Sequence, residues 1–189
     1  MKIFYDVDTQ NDFMNKDGAL YVPDAELIKP NLKLLTDYAI KNKIPILGSV
    51  DRHFGTEEYK EKELELARWK GPFPDHCMAG TYGQEKITET RTEQGIYFEK
   101  QSYDIFTNPE FARFLKEKQV TKALVYGVAT DYCVKAAVLG MLARKIKCYV
   151  VEDAIKGVFP ESTNQSLEDM AQAGAIFVKT KNILVGMLK

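Results

Sequence analysis

Short apolar runs alternate with amphipathic stretches along most of the chain. Six of these runs have the composition of buried parallel strands: Ile3–Val7, Ile44–Val50, Ile96–Glu99, Ala123–Tyr126, Lys147–Val151 and Ala175–Val178. Between them, apolar residues recur at helical spacing around 28–39, 111–118, 134–142 and 162–173. This alternation predicts an α/β fold, a doubly wound and mainly parallel six-stranded sheet with helices on both faces.

Two segments interrupt the alternation. Residues 56–67 are densely charged and are expected to form a solvated helix or an irregular excursion. Residues 69–77 contain too much proline and glycine for a regular element. The aromatic side chains of this second segment suit the wall of a ligand pocket, and they suit equally the packing of a loop against the core.

Composition narrows the class of protein. At 189 residues and 45% hydrophobic, the chain can bury one core, which predicts a single domain over residues 1–189. A net charge of −1 argues against nucleic acid or an anionic membrane as partner. No apolar run reaches membrane-spanning length, and the first residues do not form a signal peptide. Three unpatterned cysteines argue against a disulfide framework and favour the cytoplasm.

Polar side chains follow three of the predicted strands. Asp8 follows the first strand, Asp51 and His53 the second, and Lys100 the third. Ligands of open parallel sheets bind at the carboxyl ends of strands, so these positions are candidates for a site. An aspartate that forms a turn and a solvated lysine are the ordinary alternatives. Asp6 lies inside the first strand, where a carboxylate needs a partner that the sequence does not identify.

The chain has only two histidines, His53 and His76, and both lie in predicted loops. Together with Asp51 they offer the nitrogen and oxygen donors that a divalent transition metal such as zinc prefers. The two histidines are far apart in the chain. Their spacing therefore leaves a metal site and two unrelated loop histidines equally open.

Cys133 lies in the segment Gly127-Val128-Ala129-Thr130-Asp131-Tyr132-Cys133, which joins a predicted strand to a predicted helix. Unpaired N–H groups and the helix dipole favour an anion at a helix start. This position is therefore expected to bias Cys133 toward the nucleophilic thiolate. A small buried cysteine that packs in the core explains the stretch equally well.

Taken together, these segments resemble the isochorismatase-like cysteine hydrolases and, within them, the nicotinamidase branch. The resemblance spans most of the chain. Its motifs, in order, are Asp8-Thr9-Gln10-Asn11-Asp12-Phe13, Asp51-Arg52-His53, Phe73-Pro74-Asp75-His76-Cys77, Lys100, and the segment from Gly127 to Cys133.

The resemblance implies an amidohydrolase that converts nicotinamide to nicotinate and ammonia through a thioester. It implies that Cys133 is the nucleophile, Asp8 the proton acceptor and donor, and Lys100 the third catalytic residue. The family also implies a cis peptide between Val128 and Ala129. The backbone amides of Ala129 and Cys133 are expected to form the oxyanion hole.

A metal site and a ring pocket are implied in the same way. The expected ligands are Asp51, His53 and His76, which would hold one divalent ion, zinc ahead of iron or manganese. Phe13 and Phe73 are expected to flank the substrate ring. Relatives also suggest a homo-oligomer. A further ligand is left open among the glutamates of the charged excursion: Glu57, Glu58, Glu63 and Glu65.

Three other functions remain in view. The first is a sister enzyme that hydrolyses ureido or carbamoyl amides or acts as an isochorismatase, but His53 and His76 favour the nicotinamidase branch. The second is a non-catalytic binding protein, which the presence of Asp8, Lys100 and Cys133 argues against. The third is a structural zinc protein, which fits poorly because such sites are closed and usually rich in cysteine.

Overall fold

The structure is a computed structural model that describes residues 1–186. Its six strands, numbered in chain order, are β1 (Lys2–Val7), β2 (Ile46–Asp51), β3 (Gly95–Lys100), β4 (Lys122–Val128), β5 (Lys147–Lys156) and β6 (Ile176–Val178). They form one sheet in the order β3-β2-β1-β4-β5-β6, and every neighbouring pair is parallel. The doubly wound α/β prediction is confirmed. The strand order reverses between β1 and β4, which is where such sheets bind ligands.

Helices cover both faces of the sheet. They are α1 (Asn11–Met14), α2 (Lys29–Lys41), α3 (Pro109–Glu117), α4 (Lys135–Ala143), α5 (Pro160–Gln172) and α6 (Thr180–Leu184). Buried side chains of α1, α2 and α6 contribute to one core, and those of α3, α4 and α5 contribute to the other. Each core therefore lies between a layer of helices and one face of the sheet.

Some element boundaries differ from the predicted ones for local reasons. Helix α3 begins at Pro109, where the Asn108 side chain accepts a hydrogen bond of 2.9 Å from the Glu110 amide. Helix α5 begins at Pro160 rather than at residue 162, because proline is well suited to the first helical turn. Strand β2 extends to Asp51 because its ladder with β3 continues to Lys100.

The charged excursion, residues 56–67, forms no α-helix. It contains two short 3₁₀ turns, at 60–62 and 67–69. Glu63 and Leu66 are fully buried, so the segment packs against the end of the sheet instead of standing in solvent. The solvated-helix alternative is therefore wrong.

All six strands of residues 1–186 lie in one sheet. The predicted domain spans residues 1–189, and its last three residues lie outside the part of the chain that the structure describes. Within residues 1–186, no helix combines the length and the apolar character that crossing a membrane requires.

Asp6 finds its partner in a loop far along the chain. Its Oδ2 lies 2.9 Å from Lys86 Nζ, and its Oδ1 accepts a hydrogen bond of 2.8 Å from the Thr9 hydroxyl. Asp6 is fully buried and Lys86 nearly so. The ion pair ties the loop before β3 to the strand that precedes Asp8, which accounts for a carboxylate inside β1.

We expect Lys86→Met to destabilise the fold by about 3–5 kcal/mol, because it leaves a buried carboxylate without its counter-charge. Chemical denaturation measures this difference. The matched double variant Asp6→Asn/Lys86→Met removes both charges and should recover part of the loss. A loss below about 1 kcal/mol in the single variant, the range of exposed pairs, would contradict this assignment.

Candidate active site

Four polar side chains meet at the carboxyl edge of the sheet. Asp8 follows β1, Asp51 ends β2, Lys100 ends β3, and Cys133 follows β4. Because these strands are parallel and adjacent, their ends share one edge. The four residues are 0%, 3%, 1% and 8% exposed, respectively, so the cluster is nearly closed to solvent.

The backbone around Cys133 is unusual. Residues 130–134 form a π-helical turn between β4 and α4. The peptide between Val128 and Ala129 is cis, as the resemblance implied. Gly127 has φ +116°, and a Cβ there would lie 2.1 Å from the Val7 carbonyl oxygen. Only glycine therefore allows β4 to approach β1 this closely before the turn.

The Lys100 ammonium lies at the centre of the cluster. Its Nζ is 2.9 Å from Asp8 Oδ2, donates to Cys133 Sγ at 3.4 Å, and pairs with Asp51 Oδ1. One donor atom each from Asp8, Asp51 and Cys133 lies within 4.8 Å of the other two. The solvated-surface alternative for Lys100 is therefore wrong.

Burial controls the protonation of this cluster. It raises the pKa of the Asp8 carboxyl, and the nearby Lys100 ammonium opposes that rise. It also raises the pKa of the Cys133 thiol, again against the effect of Lys100. Burial disfavours the charged form of Lys100 too, but Asp51 and Asp8 outweigh it and raise the pKa of the ammonium.

The expected thiolate bias is consequently wrong for the free protein. Cys133 is only 8% exposed, and burial destabilises its thiolate more than the nearby Lys100 ammonium stabilises it. Burial thus favours the thiol form of Cys133 and makes the Asp8 carboxylate a stronger proton acceptor than an exposed one, with the Lys100 ammonium in contact with both. Such a pair can move a proton from sulfur to oxygen and back, which is what a nucleophile and its base require.

A second cluster adjoins the first. Donor atoms of Asp51, His53, Glu65 and His76 all lie within 4.8 Å of one another. The three predicted ligands therefore come together, and Glu65 joins them from the four glutamates that the sequence left open. Both ring nitrogens of fully buried His53 have no hydrogen-bond partner within residues 1–186. Orphaned buried nitrogens of this kind suit a metal ion.

The two imidazoles differ in protonation. Burial lowers the pKa of His53 to about 4, so this ring is neutral. Burial also opposes a charged His76, but Asp51 outweighs that effect and raises the pKa of this ring. His76 Nδ1 lies 2.7 Å from the Pro74 carbonyl oxygen, which can only accept. The remaining nitrogen, Nε2, faces Asp51 Oδ2 at 3.7 Å.

The carboxylates complete a mixed nitrogen and oxygen set. Burial disfavours a charged Asp51, but Lys100 and His76 outweigh it and hold the pKa of Asp51 below its usual range. Burial raises the pKa of Glu65 to about 7. Glu65 Oε1 lies 3.6 Å from His53 Nε2. Two imidazoles and two carboxylates match the donors that zinc and related divalent metals take.

The backbone of Asp51 is held by Gln10. The Gln10 Oε1 accepts from the Asp51 amide at 2.7 Å, and its Nε2 donates to the Asp51 carbonyl at 2.8 Å. The same Nε2 donates to the Gln84 carbonyl at 2.7 Å. Gln10 lies in the first motif, but the motif alone does not say which backbone the amide contacts.

Two further carboxylates orient the loops that carry the histidines. Glu63 accepts from the amides of Phe54 and Gly55, at 2.6 and 2.8 Å, immediately after His53. Asp12 accepts from the Cys77 amide at 2.7 Å, immediately after His76. Neither role was predicted, because the partners are backbone groups of irregular loops. Supporting contacts of this kind fix ligand orientation.

A cavity of about 240 Å³ opens above the two clusters. Asp51, Glu65, His76, Ala129 and Cys133 line it, whereas Asp8, Lys100 and His53 do not. Its aromatic walls contain the two predicted side chains and four that were missed: Phe13 and Phe73, and Tyr21, Tyr103, Tyr132 and Phe159.

The aromatic walls differ in how firmly they are held. The Phe73 ring meets Tyr132 edge-on, with centroids 5.7 Å apart, and the Phe13 ring lies 5.4 Å from His76. Tyr103 and Phe159 form the rim and are 52% and 57% exposed. A small apolar chamber with polar groups at one end suits a flat, one-ring molecule that carries a polar substituent.

Comparisons with known proteins agree with this geometry. The isochorismatase domain family matches residues 6–182 of the chain. The nicotinamidase of Escherichia coli (strain K12) is 26% identical, and the match covers 89% of this chain and 90% of that protein. The crystal structure of pyrazinamidase of Pyrococcus horikoshii in complex with zinc superposes with a TM-score of 0.85 at 29% identity, covering 94% of this chain and 98% of that one.

A further relative differs from these in the activity that its name implies. It is a probable inactive nicotinamidase from Arabidopsis thaliana, 25% identical, with 94% of this chain and 90% of that protein covered. Overall likeness at this level therefore does not by itself indicate catalysis. Evidence for catalysis therefore has to come from the side chains of the site.

Proposed function

The chain belongs to the isochorismatase family, and on that premise we propose that it is a cysteine amidohydrolase that converts nicotinamide to nicotinate and ammonia. One observation carries the proposal. The buried Lys100 ammonium contacts both Asp8 and Cys133 directly beside a set of metal-binding side chains. Taking these paired charges out of water costs free energy that apolar side chains in the same place would not cost, so stability alone does not explain the arrangement.

The cavity supports the choice of substrate. Its volume of about 240 Å³ suits a single small ring. Phe13 and Phe73 provide aromatic surfaces for that ring, and Cys133 lies at the polar end where a carboxamide would sit. Asp51, His53, Glu65 and His76 would hold one divalent ion, which we propose to be zinc. When bound, that ion supplies a Lewis acid for the pyridine nitrogen and so orients the ring.

The first half of the reaction forms a thioester. Asp8 accepts the proton of the Cys133 thiol, and the sulfur attacks the carboxamide carbon. The backbone amides of Ala129 and Cys133 stabilise the oxyanion, where one lost donor typically costs ~10²–10³ in rate. Asp8 then gives its proton to the nitrogen, the carbon–nitrogen bond breaks, and ammonia leaves.

The second half of the reaction releases the acid. Asp8 accepts a proton from water, whose oxygen attacks the thioester carbon, and the proton returns to the Cys133 sulfur as nicotinate departs. Burial supports this role, because a carboxyl group with a raised pKa is a better base toward a thiol than an exposed one. Lys100 opposes that rise and so favours the ionised form of Asp8 that accepts the proton.

Ammonia release from nicotinamide by the purified protein tests the proposal. Ureidoacrylate serves as a comparison substrate for ammonia release, and isochorismate, which contains no nitrogen, is followed by loss of the substrate itself, because the sister enzymes act on compounds of these classes. We expect release from nicotinamide alone, dependent on the divalent ion. Turnover of a ureido compound without release from nicotinamide at any metal loading would move the assignment to the sister branch.

The setting of the enzyme is also a proposal. Cys77, Cys133 and Cys148 are all unpaired and buried, which suits a reducing compartment such as the cytoplasm. A homo-oligomer, expected from relatives, stays a prediction that sedimentation can check.

A further inference from the structure

The Lys100 ammonium occupies a position that resembles a metal site. Asp8 Oδ2 and Cys133 Sγ lie 2.9 and 3.4 Å from its Nζ, and Asp51 Oδ1 completes the set. One donor atom from each of these three residues lies within 4.8 Å of the other two. Two carboxylate oxygens and a sulfur are ligands that zinc-like divalent ions take.

Asp51 belongs to both clusters. Its Oδ1 faces the Lys100 ammonium, and its Oδ2 faces His76 at 3.7 Å. The edge of the sheet therefore offers two adjoining cation positions that share one carboxylate. Hydrolases with two metal ions about 3.5–4 Å apart combine two positions in this way.

The second position depends on a positive charge. Asp8 is fully buried, and its Oδ1 has no hydrogen-bond partner among residues 1–186. Without the ammonium, Asp8 and Asp51 would lose a shared counter-charge, which costs free energy unless a proton or another cation takes its place. A divalent ion would remove that penalty and bind the Cys133 sulfur as it did so.

We propose that the Lys100 side chain acts as a built-in cation that excludes a second metal ion, so that the protein takes one ion and Cys133 stays free of metal. This goes beyond a role in proton transfer, because it makes Lys100 the determinant of metal stoichiometry. It rests on the proposed metal set but not on the hydrolysis of nicotinamide. When a metal does enter, the Cys133 S–H bond breaks, a metal–sulfur bond forms and the proton leaves to solvent, without any redox change.

Cobalt(II) titration of the full chain tests the proposal, since a cobalt–thiolate bond gives a charge-transfer band in the near ultraviolet. We expect wild type to bind one equivalent without this band. Lys100→Met should bind two equivalents and show the band. The double variant Lys100→Met/Cys133→Ser should lose the band. Lys100→Arg, the matched control that keeps the charge, should behave as wild type.

Several results would overturn the proposal. One is a single equivalent without the band in both Lys100→Met and the polar neutral variant Lys100→Gln. Another is a cobalt–thiolate band in wild type under excess cobalt. A third is failure of both neutral variants to fold even with cobalt present, because the ion would then be unable to replace the ammonium. By contrast, wild type that binds one cobalt but releases no ammonia from nicotinamide would refute the proposed function and leave this inference intact.

Discussion

Cys133→Ala will stop hydrolysis of nicotinamide, with kcat reduced by at least about 10⁴-fold, the scale seen when a nucleophile is removed. Among residues 1–186, no other cysteine lines the cavity, so no other thiol there can form the proposed thioester. The fold should survive, because the change removes only one small atom from a packed site. Steady-state ammonia release measures the loss, and circular dichroism checks the fold.

A matched control exists in the same chain. Cys148 is also buried, but its sulfur faces the carbonyl oxygens of Val138 and Ile146, away from the cavity. Cys148→Ala should therefore retain activity. Cys133→Ala should keep its bound metal and still bind nicotinamide in calorimetry. Activity close to that of the wild type in Cys133→Ala would remove this residue from the mechanism.

His53→Ala and His76→Ala will each strip the bound metal and raise the KM for nicotinamide. We expect metal affinity to fall by at least about 10²-fold, since even groups that only orient a ligand contribute 10–100-fold. Elemental analysis after dialysis against a chelator measures metal content directly. Glu58→Gln is the control, because Glu58 is an exposed carboxylate of the same excursion and is not in the cluster. Unchanged metal content in both histidine variants would show that His53 and His76 are not metal ligands.

The fourth ligand can be tested through pH. Burial raises the pKa of Glu65 to about 7, so its carboxyl group is protonated below neutral pH and ionised above it. A protonated carboxyl competes poorly for a cation. Metal affinity of the wild type should therefore increase as pH rises through 7, and Glu65→Gln should show a shallower dependence by about one proton. Equal slopes in the two proteins would exclude Glu65 as a ligand.

The parts of the site that the sequence predicted belong to regular elements. Apolar runs located β1, β2 and β4, and parallel strand ends share an edge, so Asp8, Asp51 and Cys133 could be expected together. Their protonation could not, because it depends on how completely the folded chain closes over the cluster. The position of Cys133 at a helix start predicts a thiolate, whereas burial in the folded protein raises the pKa of the thiol and favours its neutral form.

The parts that could not be predicted come from irregular loops. Glu65 was one of four equivalent glutamates, because the excursion has no period that would fix its path. Asp6 had no visible partner, since Lys86 reaches it from a distant loop. Tyr103 and Phe159 line the same cavity although separate loops carry them. Hydrophobic patterning describes strands and helices, but it does not describe the route of loops in space.

Gln10 has a consequence for how the site moves. The backbone ladder between β1 and β2 ends near Ser49, whose carbonyl oxygen accepts from the Asp8 amide at 3.2 Å. Beyond it, the Gln10 amide pairs with both the N–H and the C=O of Asp51, as the peptide of a neighbouring strand would. Gln10 thus extends the hydrogen-bond ladder between β1 and β2 by one step. Local unfolding of the surrounding loops would have to break both of its bonds before it reached Asp51. Movement of the exposed side chains at the rim, Tyr103 and Phe159, would therefore leave the backbone of Asp51 in place.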